Sequence, residues 1–175
     1  MSRIAHIVVL LALTAAACTT PAPVDPAADR SAVEAALTKW PVVLERYDWD
    51  GIASLIDSST MWIEEGPAVP VVNVLDIFRT LDSAQVAIDY GELRDLQLGV
   101  QGDIAWGYWL LDGTFTTDTD VGRAWFRAYT GTTDPEQREW RFRWVESAVL
   151  RRTNGEWRFV FGHTSRLPEA VQGTE

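Results

Sequence analysis

The chain has 175 residues, 47% of them hydrophobic, with 25 acidic against 15 basic side chains and a formal charge of −10. That balance disfavours nucleic acid and anionic lipid head groups, which are held by basic patches; its plain reading is solubility. A single cysteine excludes an internal disulfide, and with only two histidines a zinc site is not expected. No phosphate-binding glycine loop is present, and no cofactor is expected.

The N-terminus reads as an export signal over residues 1–17. Arg3 supplies the cationic start, Ile7 to Leu13 the apolar stretch, and Ala15-Ala16-Ala17 the small residues before a cut. The apolar run is short for a membrane span, which needs roughly 20 residues. Cys18 directly after it resembles the lipobox of bacterial lipoproteins, with Ala15 where that pattern prefers Leu. The resemblance implies lipidation of Cys18 and export to the cell envelope. Anchoring would be through that lipid alone, in the outer membrane facing the periplasm if the envelope is Gram-negative. An ordinary cleaved signal with a leftover thiol, or a short membrane anchor, are the alternatives. Residues 18–30 are rich in Pro and Ala and read as an extended tether. From Thr19 to Arg30 it would reach roughly 35–40 Å at about 3.1 Å per residue.

The globular part is expected over residues 31–167, followed by a polar tail, 168–175. Ser31 and Glu34 form a capping box. Val33, Leu37, Trp40, Leu44 and Tyr47 then make one helical face, which Pro41 should kink. A break at Asp48–Gly51 leads into a short helix, Ile52–Ile56, and a strand, Thr60–Glu64. A third helix is predicted over Val72–Leu81. Strands follow: one around Leu96, Leu98 and Val100, then Ile104–Phe115, a short one at Ala124–Tyr129, Trp140–Arg152, and Trp157–Ser165 after an Asn154-Gly155 hairpin turn. Helices first and antiparallel strands after describe an α+β fold, with helices packed on one face of a curved sheet. There is no internal repeat and no second domain.

The last hairpin carries a pattern: Val149-Leu150-Arg151, Asn154-Gly155, Trp157-Arg158-Phe159 and His163-Thr164-Ser165. With Met61-Trp62 and Gly102-Asp103-Ile104-Ala105 upstream, this resembles the SnoaL-like domains of the nuclear transport factor 2-like superfamily. The resemblance spans about Ser31 to Arg166. It implies N-terminal helices on a strongly curved antiparallel sheet that forms a cone with an internal cavity, and a homodimer. Members include isomerases, cyclases, dehydratases and hydrolases, so the fold does not give a reaction.

Strand parity selects the candidate residues. Trp140, Phe142, Trp144, Glu146, Ala148 and Leu150 share one face. Trp157, Phe159, Phe161, His163 and Ser165 share another, and both bulky faces should look into the cone. Glu146 among aromatics would have a raised pKa. With His163, the only histidine left once His6 is removed with the signal, it could perform acid–base chemistry. Equally, the two could merely satisfy each other in the core. Ser165 reads as a strand-end hydrogen bonder. Trp62, Tyr90, Tyr108, Trp109, Phe142, Trp144, Phe159 and Phe161 are candidate pocket residues, with core filling as the bland alternative. Asp89 is a weaker candidate. Within Ile104–Phe115 the even set would bring Tyr108 and Asp112 inward and the odd set Trp109; both stay open. Asp118, Asp120, Asp134 and Glu136 lack a calcium-loop pattern and read as solvated. Three functions remain: binding of a small, largely apolar molecule; an acid–base enzyme using Glu146 and His163; and a domain that docks an envelope partner through its sheet face.

Overall fold

Val33, Leu37, Trp40 and Leu44 fall at helical spacing and are all buried, so they fix the inner face of the first helix, α1 (Pro26–Glu45). The computed structural model describes residues 26–168; Cys18, the stretch expected to be an export signal and the last seven residues lie outside them. α1 begins before Ser31, so that residue is not the N-cap, and Pro26–Arg30 is helix rather than tether. A long-range contact explains why. Asp29 is buried and takes two hydrogen bonds from the Arg152 guanidinium, at 2.5 and 2.9 Å. Pro41 is accommodated within the continuous helix. It cannot supply the N–H that the Leu37 carbonyl would otherwise accept.

Helix α2 (Trp49–Leu55) starts at Asp48, whose side chain accepts from the Gly51 N–H at 2.9 Å. Strand β1 (Ile56–Glu64) pairs with the short β2 (Val69–Pro70), and α3 (Val71–Ser83) follows. β3 (Ala87–Tyr90) and β4 (Arg94–Gln101) both pair antiparallel with β5 (Ile104–Thr116), at its two ends. Helix α4 (Asp120–Thr130) occupies the stretch where a short strand is expected from sequence. Its ends account for the difference. Thr119 caps the Gly122 N–H at 3.0 Å, and Gly131 closes the helix in the left-handed conformation at φ 73°. β6 (Glu139–Thr153) and β7 (Glu156–Arg166) form the long final hairpin, and Asn154 and Gly155 supply its two positive-φ turn residues.

The described residues form one seven-stranded sheet in the order β2-β1-β7-β6-β5-β3, with β4 also on β5. The sheet is mixed rather than wholly antiparallel, because β1 runs parallel to β7. Two aromatic clusters fill the concave side. In one, Trp40 stacks on Trp62 at 5.1 Å between ring centroids and leans on Phe159. In the other, Phe126 of α4 stacks on Trp140 at 4.3 Å.

A register shift in the final hairpin decides what faces this interior. Leu150 pairs with Phe159 but Val149 pairs with Phe161, so Val160 is an extra residue in β7. Such a bulge reverses the alternation beyond it. Trp157 and Phe159 are buried before the bulge, and Gly162 and Thr164 after it.

Candidate ligand cavity and its buried carboxyl groups

A cavity of about 230 Å³ lies between the concave sheet face and helices α3 and α4. α3 contributes Val74, Ile77, Phe78 and Leu81, which are spaced to fall on one helical face. α4 contributes Trp125, Phe126 and Tyr129 in the same manner. The strands supply Trp62, Tyr90, Phe115, Phe142 and Trp144, with the Tyr90 ring edge-on to Trp144 at 6.1 Å. The wall is apolar except where Glu64, Glu65, Glu146 and Thr164 reach it.

Glu146 is 6% exposed. Burial pushes its carboxyl up to about 8, helped by the nearby Glu64 carboxylate and opposed by Trp109 and Thr164. The Thr164 hydroxyl donates to Glu146 Oε1 at 3.4 Å and accepts the Trp62 indole N–H at 3.1 Å. Glu146 Oε2 and the Trp109 indole nitrogen are both buried without a hydrogen bond of acceptable geometry. Glu64 is pushed up to about 7, by burial first and the Glu65 carboxylate second. Burial first, then the Glu146 and Glu64 carboxyls, raise the Tyr90 phenol well above its ordinary value, so it stays a neutral donor. Tyr129 reaches about 12 through burial and Glu65, against the pull of Arg166. Arg166 itself sits over the Tyr129 ring at 4.9 Å and 3.6 Å from Glu65 Oε1.

The structure brings Glu146, Trp62, Tyr90, Phe142 and Trp144 together at the cavity. It does not bring His163 there. The Val160 bulge turns Phe161, His163 and Ser165 to the other side of the sheet, where Ser165 Oγ lies 2.9 Å from His163 Nε2. The residue opposite Glu146 in the ladder is Thr164. In β5 the odd set points inward: Trp109 is fully buried, whereas Tyr108 is 38% exposed on the outer face. Trp109 and Phe159 belong to the packed core and do not line the cavity. Asp112 also faces outward and pairs with Arg143 at 2.6 Å and Arg94 at 3.0 Å. Asp89 is exposed in β3. Among the described residues no group of His, Cys, Asp and Glu could hold a metal ion. None of the described helices is long and apolar enough to cross a membrane.

Trp125, one of the aromatics that the sequence offers as lining a ligand site, does reach the cavity, whereas sequence reasoning passed over Glu64, Thr164, Phe126 and Tyr129. Glu64 follows Trp62 by two residues on one strand, a usable signal once Trp62 is placed inside. Thr164 had no such signal, because a bulge leaves no mark in composition.

No family model matches the sequence, and no curated protein matches it. Solved structures do resemble the fold. A candidate dehydratase of the NTF2-like family from Streptomyces avermitilis superposes with a TM-score of 0.63 at 17% identity, over 82% of this chain and 99% of that one. A protein from Kribbella flavida gives 0.65 at 12% identity, over 82% and 94%. The association domain of C. elegans CaMKII gives 0.58 at 15% identity, over 80% and 97%. Helices on the concave face of a curved mixed sheet, matched over nearly the full length of each of these proteins, show that this chain has the nuclear transport factor 2-like fold.

Proposed function

We propose that the domain binds a small, largely apolar molecule in the aromatic cavity. The observation that carries this reading is Glu146, a buried acid at the wall of an otherwise apolar space, with one oxygen lacking a well-formed hydrogen bond. A cavity of about 230 Å³ suits a single-ring molecule with a short substituent, since roughly 150 Å³ suffices for benzene. Native mass spectrometry of the full-length protein extracted in detergent tests the reading. A bound small molecule that is lost on Trp144→Ala supports it; a ligand-free protein whose tryptophan fluorescence no small apolar probe perturbs sinks it.

A second reading is acid–base catalysis. It is favoured by two carboxyl groups at one cavity that are pushed up to about 7 and 8, so that both exchange protons near neutrality. His163 on the outer face is left out of that pair. Turnover of a cavity ligand that disappears in Glu146→Gln, but not in His163→Ala, would establish it.

The outer sheet face favours self-association into a homodimer, because Trp106, Ile104 and Tyr108 are 51, 46 and 38% exposed there. Sedimentation of wild type against Trp106→Asp tests this, and an unchanged monomer in both excludes it. Lipid anchoring through Cys18 stays part of the proposal on sequence grounds. Palmitate labelling with a Cys18→Ser control decides it.

A further inference from the structure

The charged groups on the cavity wall are all of one sign. Glu64, Glu65 and Glu146 line it, and no Lys, Arg or His does. Arg166 lies outside the lining, stacked over Tyr129 and Phe142 and paired to Glu65. Around Glu146 itself, α1 and α3 present only apolar side chains to the cavity. α4 adds the Tyr129 phenol, β3 the Tyr90 phenol, β1 Glu64 with Glu65 just beyond its end, β5 the Trp109 indole and β7 the Thr164 hydroxyl. An anionic ligand would meet three acids here, with no base to answer it.

The aromatic wall points the same way. Ring faces attract cations, the more so when water is excluded. The fold already uses this attraction, with Arg166 4.9 Å above Tyr129 and 5.7 Å above Phe142. Independently of the acid cluster, the buried Glu146 carboxyl is weakly held: the Thr164 bond to Oε1 is long at 3.4 Å, and the Trp109 indole N–H interacts with the carboxyl without good hydrogen-bond geometry, leaving Oε2 without a well-formed bond. A buried carboxyl left in this state is poorly satisfied.

We propose that the cavity takes a small organic cation, an apolar ring carrying an ammonium group, with Glu146 as its counter-ion and the Trp144–Tyr90 rings as its platform. The inference rests on the cavity-binding reading and names its ligand class. Binding is then coupled to a proton. The carboxyl of Glu146 loses its O–H proton to solvent, and the resulting carboxylate pairs with the incoming cation; no other bond changes. With burial pushing that carboxyl up to about 8, a permanent cation should bind more tightly as pH rises from 6 to 8, by at most about tenfold per pH unit. That limit is for the single proton of Glu146; a proton released from Glu64, which is pushed up to about 7, would add to it.

Benzyltrimethylammonium and its uncharged isostere neopentylbenzene separate the outcomes by calorimetry on the full-length protein in detergent. The expected result is binding of the cation that strengthens with pH, with a heat that varies with buffer ionisation enthalpy because a proton is released. Glu146→Gln should weaken the cation at least tenfold and leave the isostere unchanged. Should that variant fold poorly by circular dichroism, the two probes on wild type still decide. An isostere that binds as well as the cation, or an affinity that falls with pH, overturns the inference and leaves the cavity reading intact. Binding of neither probe overturns both.

Discussion

Glu146 and Thr164 face each other across the β6–β7 ladder, and the Thr164 hydroxyl joins the Glu146 carboxyl to the Trp62 indole. Replacing Thr164 by Val keeps the shape and removes both bonds. A buried indole N–H without a partner costs about 1–3 kcal/mol. Thr164→Val should therefore lower stability by about that much in urea unfolding. It should also raise the Glu146 pKa further, since Thr164 is one of the groups that hold it down. His163→Ala, one position away on the other side of the sheet, should move neither quantity.

Stability should fall between about pH 4.5 and pH 8 on account of Glu146. Its folded pKa of about 8 lies above the ordinary 4.5, so the folded state holds a proton that the unfolded state has already released. The stabilisation is complete below 4.5 and is lost as pH rises through 8. Glu64 acts in the same sense up to about pH 7. Glu146→Gln carries no titrating proton, so its melting temperature should decline less than wild type over this window. Parallel melting curves for the two proteins, taken from pH 5 to 9, would contradict the assignment.

Gly162 lies beneath the Trp62 ring, and a Cβ placed on it would come within 2.2 Å of that ring. Trp62 is 2% exposed and stacked on Trp40, so it has no room to retreat. Gly162→Ala should cost about 1–3 kcal/mol, the usual penalty for overpacking. It should also disturb the cavity, which Trp62 lines. Thermal unfolding gives the first effect, and the near-ultraviolet dichroism of the tryptophans gives the second.

Thr119 holds α4 over the cavity from two sides. Its hydroxyl accepts from the Gly122 N–H at 3.0 Å and donates to the Ala84 carbonyl at 2.7 Å. Thr119→Ala should destabilise the domain by about 1 kcal/mol through the lost cap alone. The greater effect should be local, as faster amide exchange through Asp120–Thr130 than in the β5–β6 ladder. Uniform exchange across both would mean that α4 does not open separately.

The periodic parts of the fold were legible in the sequence. The α1 face from Val33 to Leu44, the alternation from Trp140 to Leu150 and the Asn154-Gly155 turn all appear as expected. Glu146 could be placed inside because β6 keeps one unbroken alternation from end to end. His163 could not, because a single extra residue at Val160 shifts every later side chain to the opposite face. Strand patterning also missed α4. Trp125, Phe126 and Tyr129 satisfy a helix as well as a short strand, and only the cap at Thr119 with the left-handed Gly131 separates the two. The start of α1 was set by Arg152, more than a hundred residues away, which no local pattern records.

That same Asp29–Arg152 pair ties the first turns of α1 to the end of β6. Pro26, Asp29 and Arg30 lie against Val100 and Gly102, at the end of the sheet where the β6–β7 hairpin turns. The cavity residue Trp144 is eight positions back along β6 from Arg152, about 26 Å at roughly 3.3 Å per residue. A pull on the chain ahead of Pro26 would thus enter through the guanidinium clamp at one pole of the domain. The chamber that Trp144 and Glu146 line lies farther along β6, away from that clamp.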